Sequence, residues 1–225
     1  MKQFIFLVTT FSLLIFGCKD QDQTIQKPNI IFMLADDLGY NDLSLCRTME
    51  PIPEKEIPTS ITPSLDQLAQ EGITFTNFYC GAAVCSPSRS ALLTGRNATR
   101  LGIYNWIPPN QPMHLRGSEV TLAEMLKKSG YQTAHIGKWH LAAQGTEQPE
   151  PPDQGFDYAF WTHNNAHPSH ENPDNFIKMD QEVGKISGYS CQIVADEAIN
   201  WMKKQNKSHL KISYEQRSIS RRICQ

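Results

Sequence analysis

The sequence has little charge bias: 21 Lys and Arg stand against 23 Asp and Glu in 225 residues, a formal net charge of −2. Nucleic-acid binding driven by bulk charge is thereby excluded. With 40% hydrophobic and 20% charged residues, the chain lacks the composition of a disordered or fibrous protein, and it carries no internal repeat. Six cysteines in 225 residues are too few for a disulfide-dense miniature scaffold. No apolar run reaches the roughly 20 residues that a membrane-spanning helix needs. What remains is a chain long enough for one α/β domain with a real core.

The longest apolar run, Phe4 to Phe16, follows Met1-Lys2 and suits a secretory signal. It ends Leu14-Ile15-Phe16-Gly17-Cys18, which resembles the lipobox of bacterial lipoproteins. That resemblance implies a signal peptide over 1–17, lipidation of Cys18, and an exported lipoprotein held at a membrane in the periplasm or at the cell surface. A plain signal peptide with an incidental cysteine is the alternative. Loss of Lys2 leaves 20 − 23 = −3 for the mature chain. Residues 18–27 are polar and aperiodic, as a tether is.

Asn29 to Ala35 is a continuous apolar run of strand length, the pattern of a strand buried on both faces of a parallel sheet, and it stops at Asp36-Asp37. Residues 50–61 read as a Pro-rich charged loop. A helix follows, with Thr62 as cap, Pro63 in first position, Leu65, Leu68 and Ala69 as inner stripe and Gly72 as stop. Ile73 to Phe78 alternates as a strand does. A helix through Ser90–Thr94 ends at Gly95. Thr121 and Glu124 have capping-box spacing, with Gly130 as the helix stop. Tyr131–Ile136 predicts a further strand, residues 144–188 read as loop-rich, and Gly188–Lys204 contains an amphipathic helix with Ile193, Val194, Ala198, Ile199 and Trp201 near its buried side. Strand–helix alternation predicts an α/β fold with a mostly parallel sheet.

Three polar clusters lie just past strand or turn ends: Asp36-Asp37, Cys85-Ser86-Pro87-Ser88-Arg89, and Lys138 with His140. In a parallel sheet such ends converge on one edge, where ligands bind. Adjacent carboxylates repel unless paired, so a divalent cation would account for the first cluster, and oxygen ligands favour Ca²⁺ or Mg²⁺. A polar turn accounts for it too. A helix N-terminus with an arginine makes the second an anion site, and a structural cysteine fits as well. Lys138 and His140, two apart on an extended segment, offer a cation and a proton carrier on one side.

Taken in order, Pro28–Phe32 with Ala35–Tyr40, Cys85–Arg96 and Gly137–Leu141 resemble the type I sulfatases of the alkaline-phosphatase-like superfamily. The resemblance implies that a maturating enzyme, formylglycine-generating or anaerobic, converts Cys85 to Cα-formylglycine. It implies Ca²⁺ on Asp36, Asp37 and the modified Cys85, Arg89 polarising the hydrated aldehyde, Lys138 on sulfate oxygen, and His140 assisting elimination. The substrate would be a sulfate ester, with sulfated glycans such as N-acetylgalactosamine sulfate favoured by the loop of His163, His167 and His170, read as a substrate rim. Trp106 and Trp161 could stack on a sugar or pack in the core. A phosphoester or phosphonate hydrolase of the same superfamily, and a non-catalytic sulfated-glycan-binding lipoprotein, are the competing functions.

The resemblance covers residues 28 to about 207. The family's later Pro-His pair, Asp-Asn or Asp-His metal pair, further lysine and small C-terminal domain are not seen, and residues 208–225 read as a basic tail without periodicity. The expectation is the N-terminal part of a catalytic domain over 28–207, in a frame truncated or shifted near residue 207. With Cys18 and Cys85 otherwise engaged, Cys46, Cys80, Cys191 and Cys224 leave three full disulfide pairings open.

Overall fold

The computed structural model describes residues 27–39, 42–49, 62–205 and 210–217. The leader over 1–17, Cys18, all but the last residue of the tether, the whole loop 50–61, Cys224 and the end of the tail lie outside the described residues.

Among the described residues six strands form one sheet: β1 (Ile30–Asp36), β2 (Gln132–Lys138), β3 (Tyr158–Thr162), β4 (Ile177–Lys178), β5 (Gln181–Glu182) and β6 (Leu210–Arg217), in the order β1-β6-β2-β3-β4-β5. The first four in that order run parallel, and the short β4 and β5 add an antiparallel edge. Five α-helices among the described residues accompany the sheet: α1 (Ser44–Met49), α2 (Pro63–Glu71), α3 (Cys85–Thr94), α4 (Leu122–Lys128) and α5 (Ser190–Lys204).

Successive side chains of a strand point to opposite faces, and β3 shows the result. Ala159 and Trp161 join a cluster with Leu93 of α3, Ala123 of α4, Trp139 and Phe156, whereas Phe160 joins Ala134 and Ile136 of β2 and Val194, Ala198 and Trp201 of α5. The last three are spaced i, i+4, i+7, one stripe of a helix. Helices on both faces of a mostly parallel sheet make the α/β layering that the strand–helix alternation predicts.

The local signals of the sequence are realised at α4 and α3. The Thr121 side chain accepts from Glu124 N (3.2 Å), and Glu124 returns the bond to Thr121 N (2.7 Å). Thr121 Oγ1 also donates to Gln154 O (2.7 Å), tying α4 to the turn before β3. Gly95 ends α3 in the left-handed region (φ 66°), its N–H bonded to Ala91 O.

Four expectations are corrected. First, β1 is half-buried rather than buried on both faces: Ile31 and Met33 are about half exposed, because among the described residues nothing covers that face and only β6 pairs with the strand. Second, residues 73–78 form no strand. Ile73 is 83% and Phe75 72% exposed, and Leu65 and Leu68 of α2 are exposed too, since alternation makes a strand only where a partner offers a ladder. Third, the loop-rich stretch 144–188 holds β3, whose five residues Tyr-Ala-Phe-Trp-Thr are the pattern of a short buried strand, together with the β4–β5 hairpin. Fourth, the supposed tail contributes β6, which joins β1 to β2. Its sequence alternates after all, Leu210, Ile212 and Tyr214 against Lys211, Ser213 and Glu215. Smaller departures are Ile199 of α5, which is 43% exposed, and Cys46 and Cys80, which are thiols rather than disulfide partners.

Candidate active site

The carboxyl ends of β1 and β2 and the N-terminus of α3 meet at one edge of the sheet. Asp36 is the last residue of β1, Lys138 the last of β2, and Cys85 the first of α3. Arg89 lies one helical turn beyond Cys85 and therefore on the same face.

These four side chains form one network centred on Asp36. Lys138 Nζ donates to Asp36 Oδ2 (2.8 Å) and to Cys85 Sγ (3.2 Å), and Cys85 Sγ lies 3.8 Å from Asp36 Oδ1. Arg89 Nη2 stands 3.5 Å from Asp36 Oδ2, while its Nη1 donates to Lys138 O (2.8 Å). Arg89 thus holds the ends of both strands. Asp36, Arg89 and Lys138 are all buried, so each charge is compensated by a neighbour, as burial requires.

Asp37 follows Asp36 with φ 59° and is exposed. His140 also has a left-handed backbone (φ 56°), so the segment after β2 turns rather than continuing extended. The turn buries the imidazole, whose Nε2 lies 3.1 Å from Ile107 O. A carbonyl only accepts, so Nε2 carries the proton and Nδ1 keeps its lone pair, which has no hydrogen-bond partner among the described residues. Burial, with the charge of Lys138, lowers the His140 pKa to about 4. The ring is neutral at ordinary pH and able to accept a proton at Nδ1.

The histidine loop divides. His163 and His167 line a cleft of about 460 Å³ together with His140. His170 does not line it; its Nδ1 meets Ser190 Oγ (2.8 Å) at the start of α5. Trp161 is fully buried in the core, whereas Trp106 is exposed beside His140, at 6.3 Å between ring centroids. Sequence reasoning missed Asn165, whose Oδ1 accepts from Lys138 Nζ (3.2 Å) and whose carbonyl accepts from Asn175 Nδ2 (2.8 Å). It also missed the fully buried Ser86, whose Oγ accepts from Ile107 N (3.1 Å) and so fixes the carbonyl that holds His140. The signal for Asn165 was its place just past an apolar run, the same placement that marks Asp36.

Asp36, Asp37 and Cys85 line a second cavity of about 370 Å³. Two carboxylates suit Ca²⁺ in kind, but a Ca²⁺ shell takes 6–8 oxygens, and no group of three or more acidic, His or Cys side chains gathers among the described residues. The described residues would supply only part of such a shell.

The profile of the sulfatase family matches residues 28–214. The chain is 45% identical to human arylsulfatase A over 130 residues, 57% of this chain and 24% of that protein. It is 39% identical to the N-acetylgalactosamine-6-O-sulfatase of Bacteroides thetaiotaomicron over 160 residues (65% of this chain, 30% of that protein), and 34% identical to human N-acetylgalactosamine-6-sulfatase over 207 (82% and 38%). Among solved structures, BT4656 in complex with its substrate D-glucosamine-2-N,6-O-disulfate superposes with a TM-score of 0.69 at 31% identity, over 87% of this chain and 35% of that one. The fold is that of the alkaline-phosphatase-like sulfatases. The chain belongs to the sulfatase family, and it spans between a quarter and two fifths of the length of these curated relatives.

Proposed function

We propose that this chain carries the nucleophile-bearing part of a sulfuric ester hydrolase acting on sulfated glycans, with Cys85 matured to formylglycine. The observation that carries the reading is the contact of Cys85 with Lys138 and Asp36 at the N-terminus of α3, with Arg89 on the same helical face. The relatives named for N-acetylgalactosamine sulfate and glucosamine disulfate support a glycan ester.

In hydrated form, the modified residue supplies two hydroxyls on one carbon, one to attack sulfur and one whose later deprotonation expels sulfate. Asp36, Asp37 and the matured Cys85 would hold Ca²⁺, which would supply positive charge to stabilise the transferring group. The remaining work falls to side chains in place. Lys138 and Arg89 present buried cations to sulfate oxygens, where a low-dielectric setting strengthens each hydrogen bond. Asn165 holds the Lys138 ammonium by its Oδ1. His140, neutral and protonated at Nε2, accepts the hydroxyl proton at Nδ1 as the product departs. An anchor at Cys18 would place this chemistry outside the cytoplasm, at a membrane.

Coexpression with a formylglycine-generating enzyme and mass spectrometry of the peptide bearing Cys85 tests the reading. Conversion to the aldehyde together with turnover of an aryl sulfate supports it. Thiol at Cys85 under conditions that mature a control sulfatase, with no sulfate-dependent stabilisation, would sink it. Turnover of aryl phosphate in preference to aryl sulfate would move the assignment to phosphoester hydrolysis.

A further inference from the structure

The backbone around His140 is pinned before and after it: Trp139 N donates to Thr162 O (2.9 Å), and Leu141 O accepts from Leu115 N (2.8 Å). The imidazole has its own hydrogen bond, from Nε2 to Ile107 O (3.1 Å), while Nδ1 has no hydrogen-bond partner among the described residues. The way the ring faces therefore depends on where the Ile107 carbonyl points.

That carbonyl is fixed by its neighbours in sequence and by Ser86. Ile107 precedes Pro108-Pro109, and a residue before proline is confined to extended backbone. Neither proline has an N–H, so the Ile107 amide is the single backbone donor of residues 107–109, and it goes to Ser86 Oγ (3.1 Å). Ser86 is fully buried and Ile107 nearly so. A buried N–H that loses its acceptor is costly, so the segment has strong reason to keep this bond.

Ser86 and Arg89 stand three apart on α3 and share a face. Arg89 Nη1 holds the Lys138 carbonyl (2.8 Å), two residues before His140, and Ser86 holds the peptide whose carbonyl takes the His140 proton. Cys85 begins the same turn of helix. One helical turn thus sets where the imidazole lies relative to residue 85.

We infer that Ser86 is a positioning residue for product release: through the Ile107 peptide it keeps His140 Nε2 engaged and Nδ1 available for the hydroxyl proton of residue 85. This rests on the sulfatase reading. In that step the hydroxyl gives its proton to Nδ1, its electron pair closes the carbonyl, and sulfate leaves with the pair of the broken C–O bond. A ring that swings off Ile107 O presents Nδ1 elsewhere, and release slows although the nucleophile and the cations on sulfate are untouched.

The test uses the full chain with isotope-labelled histidine, before and after maturation, and compares Ser86→Ala with Ile103→Val. The second variant loosens the same core cluster and leaves both relay bonds in place. In the unmatured chain the His140 Nε2–H and the Ile107 amide should show matching protection from solvent exchange. Ser86→Ala should speed exchange of the Nε2–H at least about tenfold, and Ile103→Val should leave it protected. After maturation, rates are expressed per aldehyde, so that any effect of Ser86 on conversion drops out. The kcat for an aryl sulfate should then fall at least about tenfold in Ser86→Ala. Its kcat/KM, which ends at release of the phenol, should stay within about threefold. A fall of kcat/KM in step with kcat would overturn the inference, because Ser86 would then serve the site as a whole. An Ile107 amide that exchanges freely beside a protected Nε2–H would overturn it too, and that observation needs no variant to fold. Loss of Nε2–H protection in Ser86→Ala, with no aryl sulfate turnover by the matured unsubstituted chain, would instead remove the sulfatase reading and the release step with it, leaving only the hold on His140.

Discussion

Replacing Asp36 by Asn keeps the shape of the side chain and removes its charge, and the structure gives the consequence a size. Lys138 Nζ at 2.8 Å and Arg89 Nη2 at 3.5 Å both rely on this carboxylate, and all three side chains are less than a tenth exposed. Breaking a buried ion pair by neutralising one partner costs about 3–5 kcal/mol, because the other charge is left uncompensated. Here two cations are left, though the Asn oxygen still accepts one hydrogen bond, so the middle of that range is expected. For a protein of this size, 1 kcal/mol moves Tm by about 2–4 °C, so Asp36→Asn should melt about 8–16 °C lower. Circular dichroism on heating and in urea measures both quantities. The variant turns the cluster into an open anion site, so sodium sulfate should restore more stability to it than to the unsubstituted chain, beyond the general salting effect common to both. Destabilisation below about 1 kcal/mol, or equal responses to sulfate, would mean that water screens the cluster and that the burial argument is wrong.

Three further outcomes follow from single residues. Gly155 sits at φ 91°, and a Cβ there would meet Glu124 N at 2.7 Å and Glu124 Cα at 2.9 Å; overpacking against backbone together with a left-handed alanine should make Gly155→Ala about 2–4 kcal/mol less stable in urea. Thr121→Ala removes the α4 cap and strands Gln154 O, a loss of about 2–3 kcal/mol that Thr121→Ser should largely recover. Glu150 is held up to about 7 by burial first and by Asp153 second, so the folded chain binds its proton more tightly than the unfolded one. Stability should therefore fall as pH rises from about 5 to 8, and Glu150→Gln should flatten that slope in pH-dependent denaturation.

The parts of the fold legible in the sequence are those whose signal is local. The Thr121–Glu124 box, the Gly95 stop and the acids ending the first apolar run each depend on a few adjacent residues, and each stands where the sequence places it. The misreadings are all questions of partnership. Ile73–Phe78 has strand alternation and no ladder, whereas Leu210–Arg217 has the same alternation and lies between two strands. Nothing within either segment distinguishes them. Likewise His163, His167 and His170 look equivalent along the chain, but Ser190, twenty residues on, holds His170 at the start of α5 and away from the cleft.

Partnership also decides whether the site exists. β1 and β2 are not neighbours; each pairs with β6, Asp36 opposite Arg217 and Ile136 opposite Tyr214. Second-neighbour strands run roughly 9–10 Å apart, a gap that only a long side chain spans, and Lys138 crosses it to reach Asp36. Register is as important as distance. Counting on from Ile136, Lys138 falls opposite Gln216, one step from the partner of Asp36. A slip of β1 by one residue against β6 would turn Asp36 to the other face of the sheet, away from Arg89 and Cys85 of α3, which packs on the face of Trp161. The segment that looked least like part of the domain therefore sets the geometry of the residues that look most like its chemistry.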